Sequence, residues 1–233
     1  MIFENLLHIR GHAVWAITLN TNSVVIDAGT HRGEFASSIH SRFGCRCILV
    51  EANPSLASKL TPPPGGQVIH AALAATDGTA EFIFRDNLEA GGVLSQAWDT
   101  TNTSCTIPTI SLARLMKQAG VPQIDLLKLD IEGAEFTFLD QTSDSSLCSI
   151  QQITIEFHDF IPDFRGKGLY EKACARLESL DFLCLPMSFR THGDVLFLNR
   201  SIHRVSPITA FLLKIAGRWA LKLRRMWSKA RSV

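Results

Sequence analysis

The sequence predicts an α/β fold, a mostly parallel sheet with helices on both faces, and three observations carry that prediction. Short Val/Ile/Leu runs recur from Ser23 onward. Segments of helical periodicity alternate with them, as crossover connections between buried parallel strands do. The apolar runs also end in charged or glycine-containing turns, VVIDAGTHRG (24–33), ILVEANP (48–54) and LLKLDIEGAE (126–135), which gathers polar chemistry at the carboxyl ends of the strands. A chain of 233 residues, 46% hydrophobic and 19% charged, is long enough to bury one substantial core.

Strands are expected near 23–28, 46–51, 67–72, 124–130 and 150–157, with two more near 182–188 and 194–199, each an apolar run bounded by turn formers. Apolar residues recur at helical spacing near 33–43, 53–60, 111–119, 132–141 and 168–180. TPPPGG (61–66) makes a rigid turn rather than a domain linker. AEFIFR (80–85) and CTIPTI (105–110) look like short strands flanking a loop over 86–104, and a loop of that length in a compact domain is usually functional or mobile. Gly91-Gly92 is a candidate hinge there, and Trp98 either a stacking platform for an acceptor or a local core plug. Residues 1–22 are expected to be helical, 23–203 to form the main domain and 204–233 a basic amphipathic helix.

The six cysteines show no metal-ligand spacing and read as reduced thiols. Glu4 stands where a secretory signal would be basic, and no apolar run reaches the roughly 18 residues of a membrane span, so a cytoplasmic protein is expected. The net charge of +1 conceals an asymmetry, because residues 204–233 hold eight Lys/Arg and no acid, leaving 15 basic against 22 acidic residues in 1–203. An acidic body of that kind repels phosphates, so no nucleic-acid partner is expected.

In an open parallel sheet the ligand crevice lies beyond the carboxyl ends of the strands, bordered by the first strand-to-helix loop. That loop has the spacing Asp27-x-Gly29-x-x-x-Gly33, in which Gly29 can take a tight turn and Gly33 can begin a helix close to the strand. It is not the G-x-G-x-x-G of a dinucleotide site. A pyrophosphate draped over it would meet the charge of Asp27 in a partly dry crevice, whereas a cationic ligand would be attracted. Glu51, 22 residues after Gly29, stands where an acid accepts hydrogen bonds from ribose hydroxyls. S-adenosylmethionine, with an ammonium group and no phosphate, satisfies both residues. The alternatives are Asp27 as a helix-capping acid and NAD as the ribose ligand of Glu51.

The segment LLKLDIEGAEFTFLD (126–140) ends a buried strand with Asp130 and starts a helix at Glu132-Gly133-Ala134-Glu135. Asp130 therefore joins the mouth of the same crevice, while Glu135 is read as complementing the helix dipole. With VVIDAGTHRGEFA (24–36), ILVEANP (48–54), LLKLDIEGAEFTFL (126–139) and ITIEFH (153–158) in this order, the sequence resembles the FkbM-type methyltransferases, a branch of the class I S-adenosylmethionine-dependent enzymes. The resemblance covers about residues 25–200, and KLDIEGAE is its most specific element.

That resemblance implies a Rossmann-like class I methyltransferase fold, a seven-stranded, mostly parallel sheet, and methyl transfer, usually to a hydroxyl of a sugar or natural product. It implies cofactor contacts from Asp27, Gly29, Thr30, His31 and Gly33, from Glu51 and Ala52, from Ala72, and from Asp130. The sequence departs from related enzymes after the third strand, where His70-Ala71-Ala72-Leu73 offers no acid for an adenine amino group. It departs again at Leu112-Ala113-Arg114, where family members commonly carry an acidic pair.

Methylation of an aliphatic hydroxyl requires its proton to leave, and a positioned histidine or carboxylate assists by ~10²–10⁴-fold. Asp130, Glu132, Glu156 and His158 are the catalytic candidates, at the ends of the fourth and fifth strands. His158 is expected to be the general base because imidazole titrates near neutrality, with Glu156 orienting or tuning it. The same acids, with Asp159, are the hard donors that Mg²⁺ takes, but the spacing does not demand an ion and no metal is assigned. His192 and Asp194 are secondary candidates, and Tyr170 reads as packing.

Residues 207–231 place Leu212, Ile215, Ala216, Trp219, Leu223, Met226 and Trp227 on one helical face, with Lys214, Arg218, Lys222, Arg225 and Lys229 on the other. Such a helix either lies on an anionic membrane or packs on the body or a second subunit. The leading reading is a methyltransferase acting on a hydroxyl of a carbohydrate, glycolipid or secondary metabolite. A non-catalytic adenosine-ligand module recruited through the tail, and an NAD-linked oxidoreductase, are the competing readings.

Overall fold

The computed structural model describes residues 2–84, 91–92, 104–162, 164–189, 191–203 and 205–230. The chain begins with a hairpin, β1 (Leu6–Ile9) and β2 (His12–Trp15), flanked by short 3-10 turns, which corrects the expectation of a helical segment over 1–22. Arg10 and Gly11 decide it: with φ of 48° and 96° they form a two-residue left-handed turn whose twist suits a hairpin. Two buried side chains fasten the hairpin to the sheet. Gln152 accepts from the Trp15 N–H and donates to its carbonyl, both at 2.9 Å, and Asp194 accepts from the Ala13 N–H at 2.8 Å and pairs with His8 at 3.3 Å.

The α/β alternation then runs as expected through β3 (Val24–Ala28), α1 (Glu34–Phe43), β4 (Arg46–Glu51), α2 (Pro54–Ala57) and β5 (Gln67–His70). The helix expected over 53–60 shortens to one turn, Pro54–Ala57, capped by Asn53. A small second sheet comes next, built from β6 (Ala72–Ala74), β7 (Gly78–Phe84), β8 (Gly91–Gly92) and β9 (Ser104–Ser111). Ala80, Glu81 and Phe82 of AEFIFR pair antiparallel with Ile107, Thr106 and Cys105 of CTIPTI within it. Gly91-Gly92, expected as a hinge, is strand-paired to Ile83 and Phe84, and Trp98 lies outside the described residues.

The chain continues through α3 (Leu112–Ala119), β10 (Leu126–Leu129), α4 (Glu135–Gln141), α5 (Asp144–Cys148), β11 (Gln152–Ile155), α6 (Leu169–Ser179), β12 (Phe182–Pro186), β13 (Val195–Asn199), α7 (Arg200–His203) and α8 (Pro207–Ala230). The main sheet has seven strands in the order β12-β13-β11-β10-β3-β4-β5, all parallel except β13. This is the expected α/β fold with a seven-stranded, mostly parallel sheet.

Alternate residues of the strands face opposite layers. Ile26, Ile48, Leu127 and Leu129 pack with Leu115, Leu139 and Leu177, while Val25, Leu49 and Leu126 pack with Phe35 and Ile39 of α1. Strand order reverses between β3 and β10, so the loops DAGTHRG and DIEGAE leave neighbouring strands at the switch point, where open α/β sheets bind ligands.

Candidate active site

Gly29 turns the chain off β3 with φ +70°, and a Cβ there would lie 1.7 Å from the Asp130 carbonyl oxygen. The first loop thus crosses directly over the end of β10, an approach that only glycine permits. Gly33, φ +73°, begins α1 with Leu49 at 3.2 Å and Leu60 at 3.4 Å from where its Cβ would stand. His31 between them is also left-handed, with φ 53°. Glu51 pins it, Oε2 accepting from the His31 N–H at 2.7 Å and Oε1 from the Asn53 N–H at 2.9 Å. Burial raises the Glu51 pKa despite these bonds, and each oxygen keeps a second lone pair for a hydroxyl.

Asp27 corrects the sequence reading. It is fully buried, Oδ2 accepting from Thr30 Oγ1 at 2.7 Å and from the Ala36 N–H at 3.1 Å, with Oδ1 3.3 Å from Lys128 Nζ. Its charge is satisfied within the protein, so it braces the loop and offers no exposed oxygen to a ligand ammonium. Thr30, whose hydroxyl is spent on Asp27, lines the neighbouring cavity.

Lys128 is the member of the site that the sequence reading missed. It is buried in the central strand, donates to the Gly29 carbonyl at 2.7 Å, and sits 3.3 Å from both Asp27 and Asp130. Burial works against its charge, but the two aspartates outweigh that and raise its pKa. The signal was a lone lysine inside the apolar run LLKL, since a charge in a central strand must be paired.

Beyond β10, Glu132 (φ 55°) and Gly133 (φ 101°) form a left-handed turn. Glu135, fully buried, closes it: Oε1 accepts from the Ile131 N–H at 2.9 Å and Oε2 from the Gly133 N–H at 3.0 Å. Glu135 does more than complement a helix dipole, because Oε1 also lies 3.0 Å from His158 Nδ1. The other nitrogen of His158 faces the crevice, 3.6 Å from Glu132 and 3.8 Å from Asp130.

Burial alone would lower the His158 pKa, but the Glu135 hydrogen bond and the charges of Glu135, Glu132 and Asp130 raise it to about 9. His158 is therefore cationic at neutral pH, which overturns the reason for naming it general base. The Glu156 pKa is raised by burial and then by Asp130. A second histidine, His12, arrives from the hairpin turn. It is 3% exposed, its pKa is lowered to about 4 by burial and then by Lys128, and it lies with Asp130 and Glu156 in one group of donor atoms within 4.8 Å. Only the docking of the hairpin places it there.

Arg10, His12, Gly29, Thr30, His31, Arg32, Glu34, Phe35, Lys128 and Asp130 line a cavity of about 420 Å³, and Arg10 is ion-paired with Glu34. Ala52 and Ala72 come together near the end of β4, packed with Phe82 and Ile107. The four acids read as Mg²⁺ donors do not assemble as a set, because Asp159 is taken by His192 at 2.6 Å. Among the described residues, the clusters with ligating geometry are His12, Asp130 and Glu156, and Asp130, Glu132 and His158. Asp194 serves the hairpin, and Tyr170 stacks on His192 at 3.5 Å, as packing residues do.

Residues 27–195 match the family model described as the methyltransferase FkbM domain. No curated protein matches the chain. Among solved structures, the precorrin-6y C5,15-methyltransferase from Geobacter metallireducens aligns at 10% identity and a TM-score of 0.40, over 77% of this chain and 82% of that one. A complex of the Haloferax volcanii Trm112 methyltransferase activator with a methyltransferase aligns at 6% identity and a TM-score of 0.37, over 78% of this chain and 66% of that one. With the family model matching well over half of its length, at positions that include the loop, the strand ends and the acid–histidine array, the chain belongs to the FkbM methyltransferase domain family.

Proposed function

We propose that the protein is an S-adenosylmethionine-dependent O-methyltransferase acting on a hydroxyl of a carbohydrate, glycolipid or secondary metabolite. The observation that carries this reading is the double membership of Asp130, which lines the cavity beside the Gly29 loop and also faces His158 at 3.8 Å. A donor in the cavity and an acceptor at the histidine would meet at that residue.

The cavity suits the cofactor in size, small-ligand sites spanning roughly 300–1,000 Å³. It suits it in charge as well. Asp130, partly exposed, supplies an acid for an ammonium group, and Arg32 and Arg10, the latter paired with Glu34, bring cations to the same lining. Because Asp27 is fully buried, discrimination against a pyrophosphate passes to the partly exposed Asp130 and Glu132. Glu51 and the Ala52–Ala72 surface would hold the adenosine portion.

When bound, S-adenosylmethionine supplies an electrophilic methyl group; the chain's own residues align the acceptor and accept its proton. His158, charged and locked by Glu135, holds Glu132 and Asp130 in place rather than taking the proton. Glu156, whose carboxylate lies with His12 and Asp130 in one group of donor atoms within 4.8 Å and is made less acidic by burial, receives it. Phe160, 56% exposed and with its ring 5.6 Å from that of His158, offers an apolar face against which a sugar ring or aromatic scaffold can stack.

Calorimetry with S-adenosylmethionine, followed by a labelled methyl donor with glycan and metabolite extracts, tests the reading. Saturable binding and a product heavier by one methylene, with the methyl on oxygen, are the expected results. No binding to the intact protein rejects it.

A further inference from the structure

The C-terminal helix α8 carries two apolar stripes, and the body uses only one. Leu213 and Leu221 are buried against Leu6, Trp15, Leu183 and Leu185, and the helix approaches closely at Gly217, where a Cβ would stand 3.4 Å from Leu6 and from Met187. The other stripe faces outward: Ile208, Phe211, Ile215, Trp219 and Leu223 are each 52–73% exposed, at spacings of three and four residues. Sequence reading placed Ile215, Trp219 and Leu223 on a single apolar face with Leu212, Ala216, Met226 and Trp227. Tertiary packing shows that the face buried on the body is a different one.

Cations run along one flank of the exposed stripe. Lys214, Arg218 and Lys222 repeat every four residues, and Arg225 and Lys229 continue the spacing in the sequence. Phe189 widens the ridge, its ring 4.8 Å from Trp219, with Arg218 at 5.0 Å and Lys222 at 5.2 Å over its face. Phe189 follows β12, whose carboxyl end lies at the same edge of the sheet as those of β10 and β11. The ridge and the candidate active site therefore share an edge.

We infer that this ridge docks the protein on an anionic lipid surface, with α8 lying in the plane of the interface. Among the described residues no helix is long and apolar enough to cross a membrane, so the stripe can be covered by lipid only from the side. Exposed aromatic and aliphatic side chains enter the acyl boundary while neighbouring Lys and Arg reach lipid phosphates. A second copy of this chain fits the ridge less well. Pairing ridge on ridge would bring together two segments, each holding eight Lys/Arg and no acid across residues 204–233.

The test is flotation of the full chain with vesicles of phosphatidylcholine containing phosphatidylglycerol, and with phosphatidylcholine alone, at low and high salt. Binding to the anionic vesicles that weakens in high salt is expected. It should fall at least about tenfold in Ile215→Glu/Trp219→Glu and in Lys214→Glu/Lys222→Glu, because both the apolar and the electrostatic parts are needed. All four residues are exposed, and unchanged circular dichroism and melting would show that the variants remain folded. Absence of the intact protein from the anionic vesicle fraction overturns the proposal, as does equal binding by the variants. Sedimentation showing a dimer that Trp219→Glu dissociates also overturns it, assigning the ridge to a subunit interface.

Discussion

Residue 29 and residue 130 touch through their backbones: a Cβ on Gly29 would stand 1.7 Å from the carbonyl oxygen of Asp130. The two loops of the site are therefore one packed unit, and the cavity wall and the acid array shift together.

Gly29→Ala should displace the first loop, since it adds a backbone clash to a left-handed φ of +70°. A loss of at least about 2 kcal/mol in urea unfolding is expected, together with loss of S-adenosylmethionine binding by calorimetry. Wild-type affinity in the variant would show that the loop does not form the cofactor site.

Lys128→Met leaves Asp27 charged, fully buried and without its counter-ion. Breaking a buried pair from one side costs about 3–5 kcal/mol, and Asp27→Asn in the same chain should restore part of it. Equal stability of the single and double variants, measured by denaturant titration, would contradict the pairing.

Glu135→Gln removes the charge that holds His158 protonated. The imidazole pKa, followed by NMR, should fall from about 9 toward its ordinary value, and turnover should drop about 10²-fold. An unmoved imidazole titration would rule out Glu135 as its anchor.

Glu156→Gln should lower turnover by about 10²–10⁴-fold with S-adenosylmethionine affinity unchanged, as expected of a proton acceptor that does not bind the donor. A fall in affinity with turnover preserved would move Glu156 from chemistry to binding.

Two histidines set opposite limbs of stability against pH. Both titrate near 6.5 in the unfolded chain, whereas the fold lowers the pKa of His12 to about 4 and raises that of His158 to about 9. As pH falls from about 6.5 toward 4, the unfolded chain gains a proton that buried His12 refuses, and stability declines. As pH rises from about 6.5 through 9, the unfolded chain gives up a proton that His158 keeps, and stability declines again. Each limb amounts to on the order of 3 kcal/mol. His12→Gln should flatten the acid limb of a melting-temperature profile and His158→Gln the alkaline one. A profile that both substitutions leave unchanged would contradict the assignment.

What the sequence determined by itself was the layered sheet and the address of the site. Short continuous apolar runs, helical spacing between them and glycines at 29 and 33 are local signals, and strand order then brings the loops after β3 and β10 together. Only the tertiary structure decided which charges remain available to a ligand. Asp27 read as an acid facing a ligand and Glu135 as the complement of a helix dipole, but burial commits the first to Lys128, Thr30 and the Ala36 amide, and the second to His158 and the Ile131 and Gly133 amides. Those partners stand up to 101 residues away, Lys128 lying on a different strand from Asp27, so no local pattern announces them. His12 was invisible for the same reason, since an Arg-Gly turn makes the hairpin but only Gln152 and Asp194 dock it beside Asp130. Periodicity follows from short-range backbone geometry, whereas the pKa values of buried groups follow from desolvation and neighbouring charge, which exist only once the chain has packed.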